Sequence, residues 1–390
     1  MTIYTIKQGD TVDSISAAFD IPVSTITYQN QIPYPYRLAV GEALLLPDDS
    51  APSFNKPRVY AGGYAYPFIS RWVLEETLPF LNYLYIFSYG FTPDGHLIPP
   101  LLDDTWMIEL AAAYKVAPVL TLTPFGPDGR FNNALISEVV NNLSAREQLK
   151  NEIAAQITER GFQGLDIDFE YILASDRDAF VDFVTYMREA ISALGYLTSV
   201  ALAPKTSDTQ VGLLYEGKDY RRLGEAADYV LLMTYEWGYT YGPPMAVAPL
   251  NKVREVVEYA VTIISPEKIH MGIPNYGYDW ALPFVRGSSR AATIGNVEAV
   301  QIAIEHDAAI SFDEIAQSPY FRYYADETYD MNEIYSSGAE HEVWFEDVRS
   351  LNSKFDLVEE FGLRGVSYWQ IMQLFRANWL LLDDRFDLGT

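Results

Sequence analysis

The 390-residue sequence contains no cysteine, which excludes disulfide staples and cysteine-based zinc sites while leaving the compartment open. Histidine is almost as scarce. His96, His270, His306 and His341 are scattered without zinc-ligand spacing, so neither a metal nor a cofactor is expected. Positive charge is in short supply too, with 27 Lys and Arg against 53 Asp and Glu. The net charge of −26 argues against nucleic acid and against an anionic membrane as partner. It argues equally against simple electrostatic adhesion to an anionic cell wall, so wall binding would have to be specific. No run approaches the ~18 consecutive apolar residues of a membrane span. The first residues, Met1-Thr2-Ile3-Tyr4-Thr5-Ile6-Lys7, lack the basic segment and apolar run of a secretory signal.

Apolar residues and rings are plentiful. Hydrophobic residues make up 49% of the chain and aromatics 14%, with 29 Tyr, enough for one large core plus a small module. Rings in such number serve either as sugar-stacking platforms or as a tyrosine-rich core. A monomer is expected.

One stretch organises the rest: Gly164-Leu165-Asp166-Ile167-Asp168-Phe169-Glu170. Strict alternation in a strand puts Leu165, Ile167 and Phe169 on one face and three carboxylates on the other. Like charges stacked along one face are unfavourable unless something there uses them. An exposed acidic edge strand is the plain alternative. Helix-like sequence on both sides instead predicts a buried parallel strand whose polar face lines a barrel interior. Calcium or magnesium is disfavoured, because such ligands usually come from a loop with a turn glycine.

Gln163-Gly164-Leu165-Asp166-Ile167-Asp168-Phe169-Glu170 resembles the D-G-x-D-x-D-x-E signature of family 18 glycoside hydrolases, with Gln163 in place of the first acid. Its continuation into Tyr171 and Ile172 is most similar to the branch of bacterial spore-cortex-lytic N-acetylglucosaminidases. Strand-like and helix-like segments alternate from Arg58 onward, the pattern of an α/β fold, a (β/α)8 TIM barrel. The strands read as Val59–Tyr64, Tyr83–Ser88, Ala117–Thr123, Gly164–Glu170, Thr198–Ala203, Tyr229–Thr234, Ile269–Pro274 and Gly365–Trp369. Ser144 and Glu147 read as a capping box opening a helix that Gly161 stops. An α+β insertion is expected between the seventh and eighth strands, at about 283–341.

Barrels place chemistry at the C-terminal ends of their strands. There the resemblance makes Glu170 the general acid and then base, and Asp168 the group that orients the substrate acetamide. Asp166 would share a proton with Asp168, and Tyr235 would bond the acetamide oxygen. It adds Trp369 as the floor of a sugar subsite, Glu236 as a hydroxyl partner, and Met233, Tyr276, Tyr64 and Asn275 as further substrate contacts. No separate carboxylate nucleophile is expected across the groove. The family instead uses the 2-acetamido oxygen of the substrate.

Residues 1–50 read as strand, helix, helix, strand: Ile3 to Ile6, Val12 to Phe19, Val23 to Asn30, and Glu42 to Pro47. This small α+β pattern resembles a LysM domain. By that resemblance Gly9, Asp10 and Thr11 in one loop and Asn30 and Ile32 in the other bind N-acetylglucosamine glycans. A small structural cap on the barrel is the alternative. Residues 51–57 read as a proline-bearing linker and 58–390 as the catalytic unit. Because the barrel owns a complete site, the first unit is expected to be dispensable for short soluble substrates. The resemblance implies substrate-assisted, retaining hydrolysis of N-acetylglucosaminyl linkages in peptidoglycan, at a cell wall or spore. Alternatives are action on chitin or N-glycans, or a non-catalytic lectin, although such lectins usually lose the terminal acid that Glu170 supplies.

Overall fold

The structure, a computed structural model, describes residues 1–48, 56–127, 129–325 and 338–389. Most of the linker read at 51–57 therefore lies outside the described residues, as do 326–337 of the expected insertion.

β1 (Thr2–Thr5), α1 (Val12–Phe19), α2 (Val23–Gln29) and β2 (Ala43–Leu46) form the first unit, its two strands antiparallel. Thr11 opens α1 with a reciprocal cap, its hydroxyl accepting from the Ser14 amide while the Ser14 hydroxyl accepts from its own. Val12 and Ile15 turn inward, whereas Phe19 stays 38% exposed, edge-on to Tyr4. The small core is already filled by Ile26, Ile32, Leu44 and Leu46. The two-residue strand period then does something the sequence did not announce: Leu45, facing the other way, packs into the core of the barrel. Backbone contacts reinforce this, with Ile310 N donating to Val40 O at 2.8 Å and Arg349 Nη2 to Gly41 O at 3.0 Å. Gly41 is required there, since it has φ +86° and a Cβ would lie 1.9 Å from Ile310 O. The first unit is thus packed against the rest of the chain as part of one body.

The barrel strands are β3 (Tyr60–Ala65), β4 (Tyr83–Phe91), β6 (Ala117–Leu122), β7 (Gly164–Ile167), β8 (Leu197–Leu202), β9 (Tyr229–Leu232), β10 (Ile269–Pro274) and β16 (Gly365–Trp369). All pair in parallel, and the ring closes through β3 with β16 on one side and β4 on the other. A short β5 (Leu97–Ile98) adds antiparallel to the end of β4. Every expected strand is present. The acidic one ends its ladder at Ile167 rather than Glu170, although Asp168 N still donates to Leu122 O at 3.0 Å. Alternation holds beyond the ladder, with Leu165, Ile167 and Phe169 all buried against the surrounding helices. The barrel interior carries rings, among them Tyr64, Tyr85 and Tyr229, so part of the tyrosine excess is core. Gly62 makes room for them, because a Cβ there would lie 2.4 Å from the Tyr85 ring.

The helix before the acidic strand spans Leu143–Arg160 and ends at Gly161 with φ 85°, as expected. Its cap is Asn142, not Ser144, with the Asn142 side chain accepting from the amides of Ser144 and Ala145. Glu147 instead serves Lys150 and the Tyr186 hydroxyl.

Between β10 and β16 the chain builds a five-stranded sheet in the order β12-β11-β15-β14-β13. These strands are β11 (Gly277–Ala281), β12 (Ala292–Ile294), β13 (Ser311–Asp313), β14 (Ser318–Tyr324) and β15 (Glu340–Trp344). The sheet is therefore wider than the 283–341 read from the sequence. Its first strand follows β10 after a two-residue break at Asn275 and Tyr276, too short for a composition shift to mark.

Candidate active site

The site is built at the C-terminal ends of β7, β9 and β16. There Asp168, Glu170, Met233, Tyr235, Glu236 and Trp369 share the lining of one groove of about 580 Å³. Asp166 lies beneath them, fully buried. Its two oxygens accept from Tyr64 Oη at 2.8 Å and Ser199 Oγ at 2.6 Å. Burial nevertheless pushes its carboxyl up to about 6, the two donors only partly offsetting the loss of water. Among the described residues Asp168 Oδ1 is buried without a hydrogen-bond partner. Tyr64 and Ser199 supply one hydrogen bond to each oxygen of Asp166. The link between the two acids is charge. Burial first, then Glu170 and Asp166, hold Asp168 well above the carboxylate range. Glu170, partly open to the groove, is raised by burial and also by Glu236, with Lys218 opposing.

Lys218 was missed in the sequence, and nothing in its local pattern marks it. It has no exposed surface, and its Nζ donates to the carbonyls of Phe169, between the two groove acids, and of Ala201 on β8, the latter at 2.7 Å. A second buried lysine, Lys205, donates to the Lys218 carbonyl at 3.0 Å and so fixes this loop. Lys218 continues the β7–β8 seam past its last ladder pair. It also places one cation behind three acids, and burial pushes its ammonium down to about 8.

Three of the expected contacts, Tyr64, Asn275 and Tyr276, lie outside the groove lining. Tyr64 is 2% exposed with its hydroxyl committed to Asp166, so it shapes the floor. Asn275 ties the loop after β16, its Nδ2 donating to Gln370 O and Gln373 O at 3.2 and 2.9 Å, and does not reach the groove. Tyr276 is buried, and its hydroxyl joins that of Tyr278 in donating to Glu236 Oε1. Glu236, with φ 68°, is thereby pinned as a third acid at the groove beside Asp168 and Glu170, at the position expected for a hydroxyl partner. Aromatic signals were passed over as well. Tyr66, Phe125, Tyr171 and Tyr239 also line the groove, and their placement on loops after strand ends could have marked them.

The first unit divides. Gly9, Asp10 and Thr11 lie toward solvent, with Asp10 accepting from Tyr4 Oη and Lys7 N, both at 2.8 Å. Asn30 and Ile32 do not present a free binding loop. Asn30 clamps its own fold, accepting from Leu45 N at 2.7 Å and donating to Ile26 O and Leu45 O. Ile32 is buried in the core, and Gln31 between them bonds Leu374 O and Arg376 N of the barrel.

Acids raised by burial beside a ring-lined groove at a barrel mouth suit acid–base chemistry on a sugar. The family model described as Glycosyl hydrolases family 18 matches residues 126–373, and the chain belongs to this family as a glycoside hydrolase. The LysM domain model matches residues 4–47. Over its whole length the chain is 37% identical to a cortical fragment-lytic enzyme of Bacillus subtilis, covering 99% of that protein. The crystal structure of the Bacillus megaterium spore cortex-lytic enzyme SleL superposes with a TM-score of 0.91. It shares 32% identity, with 99% of this chain and 98% of that chain covered. A chitinase of Chromobacterium violaceum, at 23% identity and TM-score 0.74, shares the fold over 84% of this chain and 98% of its own.

Proposed function

We propose that this protein hydrolyses N-acetylglucosaminyl linkages of cell-wall peptidoglycan, including spore cortex, with retention of configuration and the substrate's own acetamide as nucleophile. The substrate class is supported by the names of the full-length relatives and by the LysM match. The observation that carries the mechanism is the buried, unpartnered Oδ1 of Asp168 beside Glu170 at the groove. A buried carboxyl oxygen without a hydrogen-bond partner is costly, and a substrate N–H would supply one.

In this scheme Glu170 gives its proton to the glycosidic oxygen while the acetamide carbonyl oxygen attacks the anomeric carbon. The glycosidic bond breaks and the leaving alcohol carries the proton away. Asp168 accepts from the acetamide N–H and balances the charge of the cyclic oxazolinium ion. Glu170, now ionised, takes a proton from water as the water oxygen opens the ring on the original face, restoring the acetamide and the acid. Tyr235 holds the acetamide oxygen and Trp369 stacks beneath the reacting sugar. Tyr276 and Tyr278 both hold Glu236 by Oε1, and the substrate's hydroxyls would serve its carboxyl group as partners.

The test is hydrolysis of matched glucosyl and N-acetylglucosaminyl substrates with product anomers followed by NMR. Turnover of the acetamido substrate alone, with initial retention, is expected. Comparable rates on both would move the nucleophile to Glu236, and initial inversion would reject both schemes. Chitin oligomers and N-glycans, run beside peptidoglycan fragments, decide the substrate class.

A further inference from the structure

The groove does not end at its catalytic acids. Trp369 and Tyr66 line it together with ring centroids 6.1 Å apart, and Phe68 stacks on Tyr66 at 5.1 Å. Phe68 is 65% exposed, and four residues on, in the first turn of helix Arg71–Thr77, Trp72 is 55% exposed. Trp72 stands one turn above Glu76 on the same helix face. Glu76 pairs with Arg376 at 3.0 Å, and the Arg376 guanidinium lies 3.9 Å over the ring of Tyr28. Tyr28 belongs to α2 of the LysM unit and is itself 58% exposed. The helices carrying Trp72 and Arg376 start just after the C-terminal ends of β3 and β16, which are paired neighbours. All of these groups therefore sit on one stretch of the barrel rim.

Single exposed rings are ordinary on a soluble surface, but a series of them spaced along one rim from the groove to the LysM unit is not. We propose that this rim is an extended binding surface for a polymeric N-acetylated glycan strand, which it carries from the catalytic groove across Phe68 and Trp72 to Tyr28 of the LysM unit. The inference rests on reading the chain as a glycan hydrolase. Continuity with the groove selects the occupant, because the ring flooring the reacting sugar and the first ring of the track touch the same cavity. Flat apolar faces match the C–H faces of pyranose rings. Glu76 and Arg376 stand beside them as hydrogen-bonding partners for hydroxyl and acetamide groups. The packing of Leu45 and Gln31 against the barrel gives the track its fixed second end.

The experiment uses the full chain and two variants, Trp72→Ala and Phe68→Ala, each checked for folding by circular dichroism and for mass by light scattering. Rates are compared on an aryl glycoside of a short N-acetylglucosaminyl unit and on long peptide-free glycan strands. Either variant should lower the ratio of long-strand to short-substrate kcat/KM by about tenfold, the worth of one aromatic contact, mainly through KM. Trp72→Phe should recover most of it. Equal effects on both substrates, no effect on either, or a change in solution mass that would make the patch a contact between copies, overturns the track. Long-strand binding to the Glu170→Gln chain, with and without Trp72→Ala, reads the track without turnover. Should the wild-type chain cleave no N-acetylated glycan while Trp72→Ala still weakens strand binding, the proposed function fails and the track stands.

Discussion

Two regions were expected to touch glycan, the barrel mouth and the paired loops of the LysM unit, and the structure treats them differently. At the mouth, residues far apart in sequence converge: Asp168 and Glu170 meet Tyr235, Glu236 and Trp369 around one cavity. In the second LysM loop, Asn30 and Ile32 are spent on internal clamps and core, and the segment is held against the barrel. The difference teaches what a polar residue in a motif stands for. A buried acid with no partner is a cost that function has to justify, whereas an amide with every hydrogen bond made is already explained by the fold.

The sharpest break of that comparison is Glu170→Gln. It should keep the fold and glycan binding while lowering turnover by ~10²–10⁴-fold, the usual worth of general acid–base catalysis. Near-normal kcat in steady-state assays would remove Glu170 from the mechanism, and with it the contrast between the regions.

A smaller effect is expected from Lys218→Met. The ammonium lowers the pKa of both Asp168 and Glu170, so its loss raises both. Asp168 and Glu170 titrate as a pair, so both limbs of the pH–rate profile should move to higher pH. A fall in kcat of about tenfold should accompany the shift, if acid–base efficiency follows the displaced pKa values. A pH–rate profile with unmoved limbs would reduce Lys218 to a backbone tie.

The smallest effect belongs to the docked unit and is one of stability. Glu42, 6% exposed where the LysM unit meets the barrel, is pushed by burial up to about 7 despite accepting from Ala39 N. Because the folded value lies above the unfolded value of 4.5, this carboxyl favours folding while it is protonated. That contribution is complete below 4.5 and is lost as the pH rises through about 7. Glu42→Gln should therefore stabilise the protein at pH ~8 by on the order of 2–3 kcal/mol and do little at pH ~4. Thermal melts at the two pH values check it, and a shift of equal size at both would place the effect elsewhere.

Much of this was legible beforehand because it rests on local periodicity. The alternation through Leu165, Ile167 and Phe169 gave the strand its two faces, and all eight barrel strands could be read as apolar runs between helical stripes. The supports were not legible. Asn275 and Tyr276 follow a strand end as site residues do, and only their partners reveal that one ties a loop and the other pins Glu236. Ser144 read as a cap because the box pattern was present, yet Asn142 begins the helix two residues earlier and takes the amides first.

The sequence by itself determined the barrel, the LysM pattern and the row of acids, since strand and helix periods are written in neighbouring residues. Tertiary structure alone decided which polar groups face one another. It brought Lys218 behind acids some fifty positions away, turned Leu45 from its own domain into the core of another, and left Asp168 Oδ1 without a partner. The physical reason is that the cost or gain of a buried charge depends on its surroundings, and only the closed barrel fixes those surroundings.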